Sequence, residues 1–313
     1  MDAYYAYSND QIRSHSSSGG LFSVIAEKFD VIYGVKFDDK FNRAIYSRET
    51  SESIKPLCGS KYLQAEVGNS LISVKRDLHN GLSVLFSGTP CQIAGLKTFL
   101  NASYDNLFCL EIVCHGVPSP KVWRNYKDLY ERNTHTYIKN VNFRDKLFSW
   151  NDYGVLINNK YKSKNDDCYM RLFLNDYTLR PSCYGCQFKR TSFADLTIGD
   201  FWGISKIKPD IDERLGVSLV LSRTDKGKQL LLSISPKICI DSVNLDVALS
   251  FNPAIMNSPG IPLQRSDFFS ELDKKNIDEL ADKYTPRDNK NLIHKIKRKI
   301  KIKIKQKIRG YNE

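Results

Sequence analysis

The sequence predicts a protein of the α/β to α+β class, with one mixed sheet that carries helices on its faces. Short apolar runs alternate with amphipathic stretches from about residue 30 to residue 113, which is the pattern of strands linked by helices. Two strand-like segments follow each other between residues 137 and 160, and a cysteine-bearing loop is inserted before the next strand. With 41% hydrophobic residues, including 16 Phe and 17 Tyr, the chain can also build a sizeable core.

The first half is expected to alternate helices with strands. Apolar residues recur every three or four positions in the helical segments and form short continuous runs in the strands. The pattern predicts helices at 21–29, 66–78 and 91–100, and strands at 30–37, 83–87 and 107–113.

The second half is expected to combine helices with antiparallel strands. Ser119 and Pro120 are a favourable cap and first-turn residue, so a helix should begin there. The pattern predicts this helix at 119–133, paired strands at 137–145 and 153–160, strands at 194–203 and 217–222, a helix at 225–234, and one or two helices over 265–284.

One compact body is expected, because no Gly/Ser-rich or Pro-rich linker divides the chain. The body should span residues 1–235, with an N-terminal part up to about residue 80 and a cysteine-bearing part at 81–235. A helical extension at 236–288 and a basic amphipathic tail at 289–313 are expected to follow.

The net charge of +12 is concentrated in the tail. Nine cations without an intervening acid lie there, which leaves +3 for the rest of the chain, so no nucleic-acid partner is expected. No stretch approaches the roughly 18 apolar residues that cross a bilayer, and the start MDAYYAYSND has no apolar signal core. A cytoplasmic location is therefore expected.

The tail itself has the pattern of an amphipathic helix. Its isoleucines recur at steps of three and four to form one stripe, with Ile302 as the exception; they are Ile293, Ile296, Ile300, Ile304 and Ile308. Lys and Arg fill the other faces, as in helices that lie on an anionic membrane surface, so peripheral contact with the inner face of the membrane is expected. A solvated basic end, or a strand formed by the alternating KIKIKIK, are the alternatives.

Two cysteines follow predicted strands and are candidate ligands. Cys91 comes at the start of a helix behind Thr89 and Pro90, where the helix dipole favours a thiolate, although a small buried hydrophobe is the alternative. Cys114 ends the next strand, and if the two strands are parallel neighbours both sulfurs reach the same edge of the sheet. Cys109 lies inside that strand and is expected in the core.

A C-x-x-C pair supplies two more thiols. Cys183 and Cys186 lie on a loop, and together with Cys91 and Cys114 they make the four thiolates that a [4Fe-4S] cluster or a structural zinc requires. Zinc ribbons usually offer two C-x-x-C knuckles, so separate strand ends favour iron-sulfur. A thioredoxin-like pair would follow a strand and open a helix, whereas this pair precedes a strand.

Two polar segments are candidate cofactor loops. SSSGG at 16–20 precedes a helix and could cradle a phosphate, although Ser/Gly clusters are often simple capped loops. GSKYLQ at 59–64 offers Lys61 to a phosphate and Tyr62 to a ring. The sequence contains neither the G-x-G-x-x-G motif of nicotinamide sites nor the P-loop of ATP sites. It also contains no H-E-x-x-H and no G-x-S-x-G, so no motif indicates standard hydrolase chemistry.

Six motifs in order resemble the coenzyme F420 hydrogenase/dehydrogenase beta-subunit family over roughly residues 4–235: SSSGG, GSKYLQ, LFSGTPCQIAGLK, CHGVPSP, RPSCYGCQFK and DLTIGDFWG. The resemblance implies a flavin and iron-sulfur protein. It implies that FAD is held by Ser17, Ser18, Gly19, Gly20, Gly59, Ser60, Lys61, Tyr62 and Gln64, with Thr89 near the ring. It also implies a [4Fe-4S] cluster on Cys91, Cys114, Cys183 and Cys186.

The resemblance further implies an oxidoreductase that passes electrons through the cluster to FAD and on to an organic acceptor. The chain looks most like bacterial members from surface-polysaccharide gene clusters, which suggests a nucleotide-linked or lipid-linked sugar as acceptor. Many relatives begin with a ferredoxin-like segment, whereas this sequence begins at MDAYYAYSND, so a separate donor such as a reduced ferredoxin is expected. The alternatives are a sugar-transfer or assembly protein with a structural four-cysteine metal site and no flavin, and true deazaflavin chemistry.

Overall fold

The structure is a computed structural model and describes residues 1–287 and 292–310 of the 313-residue chain. Its strands are β1 (Asp2–Tyr7), β2 (Val31–Phe37), β3 (Ala44–Glu49), β4 (Ala65–Glu66), β5 (Val84–Gly88), β6 (Leu107–Ile112), β7 (Val141–Asp145), β8 (Gly154–Ile157), β9 (Lys160–Ser163), β10 (Leu196–Asp200), β11 (Ser218–Ser222) and β12 (Cys239–Val243).

The helices complete the secondary structure of the described residues. They are α1 (Asp10–Ser14), α2 (Leu21–Ala26), α3 (Ser70–His79), α4 (Pro90–Leu100), α5 (Pro120–Thr134), α6 (Cys168–Leu174), α7 (Pro181–Tyr184), α8 (Ile204–Ile207), α9 (Asp225–Ile234), α10 (Leu245–Ser250), α11 (Pro253–Met256), α12 (Arg265–Glu271), α13 (Ile277–Tyr284) and α14 (Leu292–Ile308). No helix in this part of the chain is both long enough and apolar enough to cross a membrane.

A mixed sheet with helices on its faces forms the body, as predicted. Across the described residues its strand order is β12-β1-β11-β10-β6-β5-β2-β3-β4. The central strands β10, β6, β5 and β2 run parallel, and β11 and β1 continue the sheet antiparallel. All residues of β5 are buried, which explains why this strand is a continuous apolar run rather than an alternating one.

A smaller sheet packs beside the body. Strands β7, β8 and β9 pair antiparallel, which confirms the predicted pair of strands and adds a third. Behind them an aromatic core centres on Trp123 of α5, Phe143 of β7 and Tyr169 of α6, all three fully buried. The ring centroids of Trp123 and Tyr169 lie 5.5 Å apart in an edge-to-face arrangement.

Three regions differ from the prediction. Strand β1 was not predicted, yet it lies between β11 and β12 in the sheet. The extension that was expected to be helical contains β12, which pairs with β1 at the edge of the sheet. Helix α6 was also missed, because its residues from Cys168 to Phe173 are all buried and so show no amphipathic period.

The tail forms a helix, so the strand alternative is wrong. Helix α14 begins at Leu292, and the expected tail residues 289–291 and 311–313 lie outside the described residues. Ile293 and Ile296 belong to the stretch whose side chains are likewise outside the described part.

Candidate functional site

Cys91 lies in the first turn of α4, directly after β5. The amide of Thr89 donates to Oε1 of Gln92 at 2.9 Å, which fixes the turn between strand and helix. The Sγ of Cys91 lies 3.3 Å from Oγ1 of Thr89, and the side chain is exposed. The structure therefore presents this thiol at the carboxyl end of β5, as the strand-turn-helix pattern predicted.

Cys114 follows the neighbouring strand β6. Because β5 and β6 are parallel, with Gly88 opposite Glu111, Cys91 and Cys114 emerge at the same edge of the sheet. Burial raises the pKa of the Cys114 thiol to about 12, although the Lys189 ammonium opposes this. Lys189 also donates to the Cys114 carbonyl.

The C-x-x-C pair reaches the same place from the second half of the chain. Cys183 lies in α7, where its amide donates to the Arg180 carbonyl at 2.9 Å, and the amide of Cys186 donates to Oγ of Ser258 at 3.0 Å. Cys91, Cys183 and Cys186 are close enough to Cys114 to raise the pKa of its thiol further. The structure thus brings the four predicted cysteines together, whereas Cys109 is buried in the core as expected.

The four thiols do not form a ready site for a single metal ion. Within residues 1–287 and 292–310, no three Cys, His, Asp or Glu side chains lie close enough to share a single ion. Four thiolates at ~2.3 Å from one zinc would stand only ~3.8 Å apart. A [4Fe-4S] cluster separates its ligands more widely, because four irons and four sulfides lie between them. Four thiols are nevertheless the donor set that a [4Fe-4S] cluster takes.

A cavity of about 980 Å³ opens beside these cysteines and includes Cys91 and Cys114 in its wall. Its size is at the upper end of the range for small-molecule sites, roughly 300–1,000 Å³. Nine of the ten predicted FAD residues line it, namely Ser17, Ser18, Gly20, Gly59, Ser60, Lys61, Tyr62, Gln64 and Thr89.

Gly19 is the predicted FAD residue that does not line the cavity. Its amide donates to Oγ of Ser218 at 3.0 Å, and a Cβ on it would lie 2.6 Å from the Ala6 carbonyl oxygen. Gly19 is therefore needed for packing against β1 and β11. Gly20 has φ +87°, the left-handed region that favours glycine.

Two basic side chains, Lys146 and Arg13, fix the Ser16–Gly20 loop and the segments next to it through hydrogen bonds to backbone carbonyls. The Lys146 ammonium donates to the carbonyls of Arg13 and Ser18, at 2.9 and 3.1 Å. The Arg13 guanidinium in turn donates to the carbonyls of Asp212 and Gly216. These buried contacts fix the loop independently of any ligand.

Lys61, in the second polar segment, lines the cavity. Its ammonium donates to the Cys58 carbonyl at 2.7 Å, and burial lowers the pKa of Lys61 to about 7. A lysine desolvated in this way gains from an anionic ligand that restores its charge. The position agrees with the predicted contact to a phosphate.

Arg144 is a cavity residue that the sequence reasoning missed. It is buried, and Nη1 pairs with Asp200 at 3.1 Å, while its Nε and Nη2 have no partner among the described residues. Its guanidinium carbon lies 4.0 Å from the ring centroid of Tyr153 and 5.1 Å from that of Trp202. The Trp202 ring stacks on the Trp150 ring, with centroids 4.7 Å apart.

His115 and Asp176 form a second pair that was missed. Nε2 of His115 lies 2.6 Å from Oδ1 of Asp176, and the His115 ring lines the cavity next to Cys114. The ring also meets Phe173 edge-on, with centroids 5.5 Å apart. Sixty-one positions separate the two partners, and no motif in the sequence connects them.

The charges and the aromatic side chains that line the cavity fit a flavin dinucleotide. The unpartnered nitrogens of Arg144 and the desolvated ammonium of Lys61 both favour an anionic group, such as a diphosphate. The aromatic walls from Tyr62, Tyr153 and Trp202 suit a flat ring. Cys91 and Cys114 line the same cavity, so a ring bound here would share the cavity with these two thiols.

Comparison with known proteins identifies a related family. A family model for the C-terminal part of the beta subunit of coenzyme F420 hydrogenase/dehydrogenase matches residues 81–247. The fold is similar to a chain in a structure titled "Xenon derivatization of the F420-reducing [NiFe] hydrogenase complex from Methanosarcina barkeri", with 16% identity, a TM-score of 0.54 and 90% of each chain covered. A search of curated protein sequences finds no match.

At 16% identity the structural similarity shows only that the fold is shared. The family assignment rests on the match of the sequence to the family model. The beta subunits that the family describes are iron-sulfur oxidoreductase subunits. The family model matches residues 81–247, which are more than half of the 313-residue chain. The chain therefore belongs to the coenzyme F420 hydrogenase/dehydrogenase beta-subunit family.

Proposed function

We propose that the chain is an iron-sulfur flavoprotein oxidoreductase, in which a [4Fe-4S] cluster relays electrons from an external donor to FAD and on to an organic acceptor. The observation that carries this proposal is a single cavity whose wall includes Ser17 and Ser60 as well as Cys91 and Cys114. Electron transfer needs the two cofactors side by side, and the protein's part is to place and tune them.

The chain's own residues would bind FAD in two halves. Ser17, Ser60 and Lys61 would take the diphosphate, because hydroxyls and an ammonium converge there. Tyr62 and Trp202 would enclose the ring, and Thr89 lies where the cavity wall meets Cys91. Arg144 supplies a buried positive charge that stabilises negative charge on bound groups.

Cys91, Cys114, Cys183 and Cys186 would hold the cluster. They come from three segments of the chain, and hydrogen bonds at Thr89, Arg180 and Ser258 already fix parts of these segments. This support would keep the four thiols in place while the cluster changes charge.

We also propose a separate, acidic electron donor, such as a reduced ferredoxin. Residues 177–194 contain Arg180, Lys189 and Arg190 and no acid. Arg180 and Arg190 are exposed and pair with no carboxylate within the described residues. A positive surface next to the proposed cluster would attract an acidic donor and speed its association.

For the acceptor we propose a nucleotide-linked or lipid-linked sugar used in surface-polysaccharide biosynthesis, in the cytoplasm. The support is the likeness of the six motifs to bacterial members of that type.

The test is the cofactor content of the full chain purified without oxygen. About four iron, four sulfide and one FAD per chain are expected, with flavin and iron-sulfur absorption in the visible spectrum. Bound zinc with no iron and no affinity for added FAD would instead favour a sugar-transfer or assembly protein with a structural metal. Activity with a deazaflavin but not with FAD would favour deazaflavin chemistry.

A further inference from the structure

Helix α14 packs on the small sheet through a narrow inner face. Ile302 contacts the cluster formed by Leu147, Leu156 and Tyr161, and Lys305 lies over the Phe148 ring at 4.7 Å. Ile302 was the one isoleucine expected to fall outside the stripe, and among the tail isoleucines whose side chains are described it is the one that points inward.

Polar contacts attach the middle and the C-terminal end of this helix to the body. The Arg298 guanidinium pairs with Asp152 at 2.5 Å, and the Arg309 guanidinium pairs with Asp145 at 3.0 Å. Gln306 donates to the Asn159 carbonyl at 2.6 Å. The body therefore uses basic and polar side chains of α14 for attachment and leaves its main apolar stripe unused.

The part of the apolar stripe whose side chains are described, Ile300, Ile304 and Ile308, points away from the protein. Ile300 and Ile304 are each 54% exposed, and Ile308 is 79% exposed. The three recur at steps of four, so they form one line along the outer face. Exposed apolar residues in a contiguous line mark an interaction surface.

Cations surround the outer stripe. Lys301, Lys303 and Lys307 are exposed, and residues 292–310 contain no acid. A second copy of α14 packed on this stripe would bring lysines against lysines, which is unfavourable. A nucleic acid would leave the isoleucines in water. An apolar line flanked by cations complements an anionic lipid surface, where the isoleucines enter the acyl boundary and the lysines meet the headgroups.

We propose that the outer face of α14, formed by Ile300, Ile304 and Ile308 with Lys301, Lys303 and Lys307, docks on an anionic membrane surface. Helix α14 is held on strand β7, since Arg309 contacts Asp145, which follows the cavity residue Arg144 in the chain. The proposal needs no flavin or iron in the protein, so its outcome is independent of the redox assignment.

The experiment is co-sedimentation of the full chain with phosphatidylglycerol-containing vesicles and with phosphatidylcholine vesicles. The variant Ile300→Ser, Ile304→Ser, Ile308→Ser keeps every charge and should lower binding to the anionic vesicles by at least about tenfold. The variant Lys301→Gln, Lys303→Gln, Lys307→Gln should weaken it as well, and added salt should reduce binding of the parent chain.

A matched control removes three equally exposed apolar side chains elsewhere. Ile72, Leu232 and Ile261 are 60%, 67% and 67% exposed, and their replacement by Ser should leave vesicle binding unchanged. Circular dichroism of each variant checks that the fold is kept. Equal binding of the stripe variant and the parent, or no binding of the parent, would overturn the proposal. So would a dimer of the parent that the stripe variant loses without any effect of lipid.

Discussion

The amide of Ser60 donates a 2.8 Å hydrogen bond to the hydroxyl of Ser17. The Ser60 hydroxyl also donates to the same oxygen, at 2.9 Å. These bonds join two loops that are 43 residues apart and turn them into one cradle at the end of the cavity. The resemblance had assigned both loops to FAD, and their direct contact is a finding of the structure.

Ser17→Ala should weaken FAD binding, because it removes both bonds between the loops. With each bond contributing about 0.5–1.5 kcal/mol, we expect the Kd for FAD to rise by roughly five-fold to a hundred-fold. Fluorescence titration of the apoprotein measures this. Ser14→Ala is the control, since that hydroxyl is exposed and contacts only its own helix region; an unchanged Kd for Ser17→Ala would show that the contact does not shape the site.

Gly19→Ala should destabilise the fold rather than block the cofactor directly. The added Cβ would lie 2.6 Å from the Ala6 carbonyl oxygen and 2.8 Å from the Ser218 amide, both in the sheet. We expect the free energy of unfolding to fall by about 1–3 kcal/mol, as for overpacking in a core. Denaturant unfolding of the apoprotein measures it, with Gly260→Ala as control, since a Cβ there meets nothing within 4 Å. Full stability with loss of FAD would contradict this account and restore the role expected from sequence.

FAD affinity should fall as the pH rises above about 7. Burial lowers the pKa of Lys61 from 10.5 to about 7, so its ammonium is charged below that pH and neutral above it. A bound diphosphate favours the charged form, and binding therefore takes up a proton above pH 7. We expect the Kd to rise by up to about tenfold per pH unit from pH 7 upward in the parent chain.

Lys61→Gln is the control for this pH dependence. It keeps a hydrogen-bond donor but cannot titrate, so its affinity should be lower at pH 6 and should change little up to pH 9. Lys146 also has a pKa lowered to about 7. This lysine is still present in the Lys61→Gln variant, so a slope that comes from Lys146 would persist there. The same slope in both proteins would rule out Lys61 as the titrating group.

Replacement of the ligand cysteines should remove the cluster. Ser at Cys91, Cys114, Cys183 or Cys186 should lower both iron and sulfide content. Cys239→Ser is the matched control for Cys91→Ser, since both thiols are exposed, and it should keep full iron. Full iron content in the Cys183→Ser, Cys186→Ser double variant would show that these two cysteines are not cluster ligands.

Charge reversal near the cysteines should slow the electron donor. In Arg180→Glu, Arg190→Glu we expect reduction by an acidic reduced ferredoxin to slow by roughly tenfold or more at low salt, and the difference to shrink at high salt. Stopped-flow absorbance measures the rate. Lys55→Glu, Lys274→Glu changes the charge equally at exposed positions elsewhere and should have a small effect. An equal effect of both variants would mean that only net charge matters.

The position of Cys91 and Cys114 could be predicted from the sequence because it depends on a local rule. Each follows an apolar strand, and the carboxyl ends of neighbouring parallel strands meet at one edge. The stripe of α14 was predictable for the same kind of reason, since helical spacing alone separates Ile304 from Ile302. Motif order then supplied the two polar loops.

The rest of the site depends on contacts that no local pattern records. Arg144 reads as an ordinary charged residue of a strand, and only the packing of Tyr153 and Trp202 around it makes it a buried cation. His115 meets Asp176 because α6 turns the chain back towards β6. Strand β1 was missed because its alternation is weak, and its pairing with β11 and β12 is set by distant segments.

The most direct test of the central claim is the rate at which reduced ferredoxin bleaches the bound flavin, measured by anaerobic stopped-flow absorbance at the flavin band. The FAD-loaded parent chain should bleach rapidly. The Cys183→Ser, Cys186→Ser variant, loaded with equal FAD, should bleach at least a hundred-fold more slowly, because electrons would have no cluster through which to reach the cavity. Equal rates in the two proteins would contradict the account.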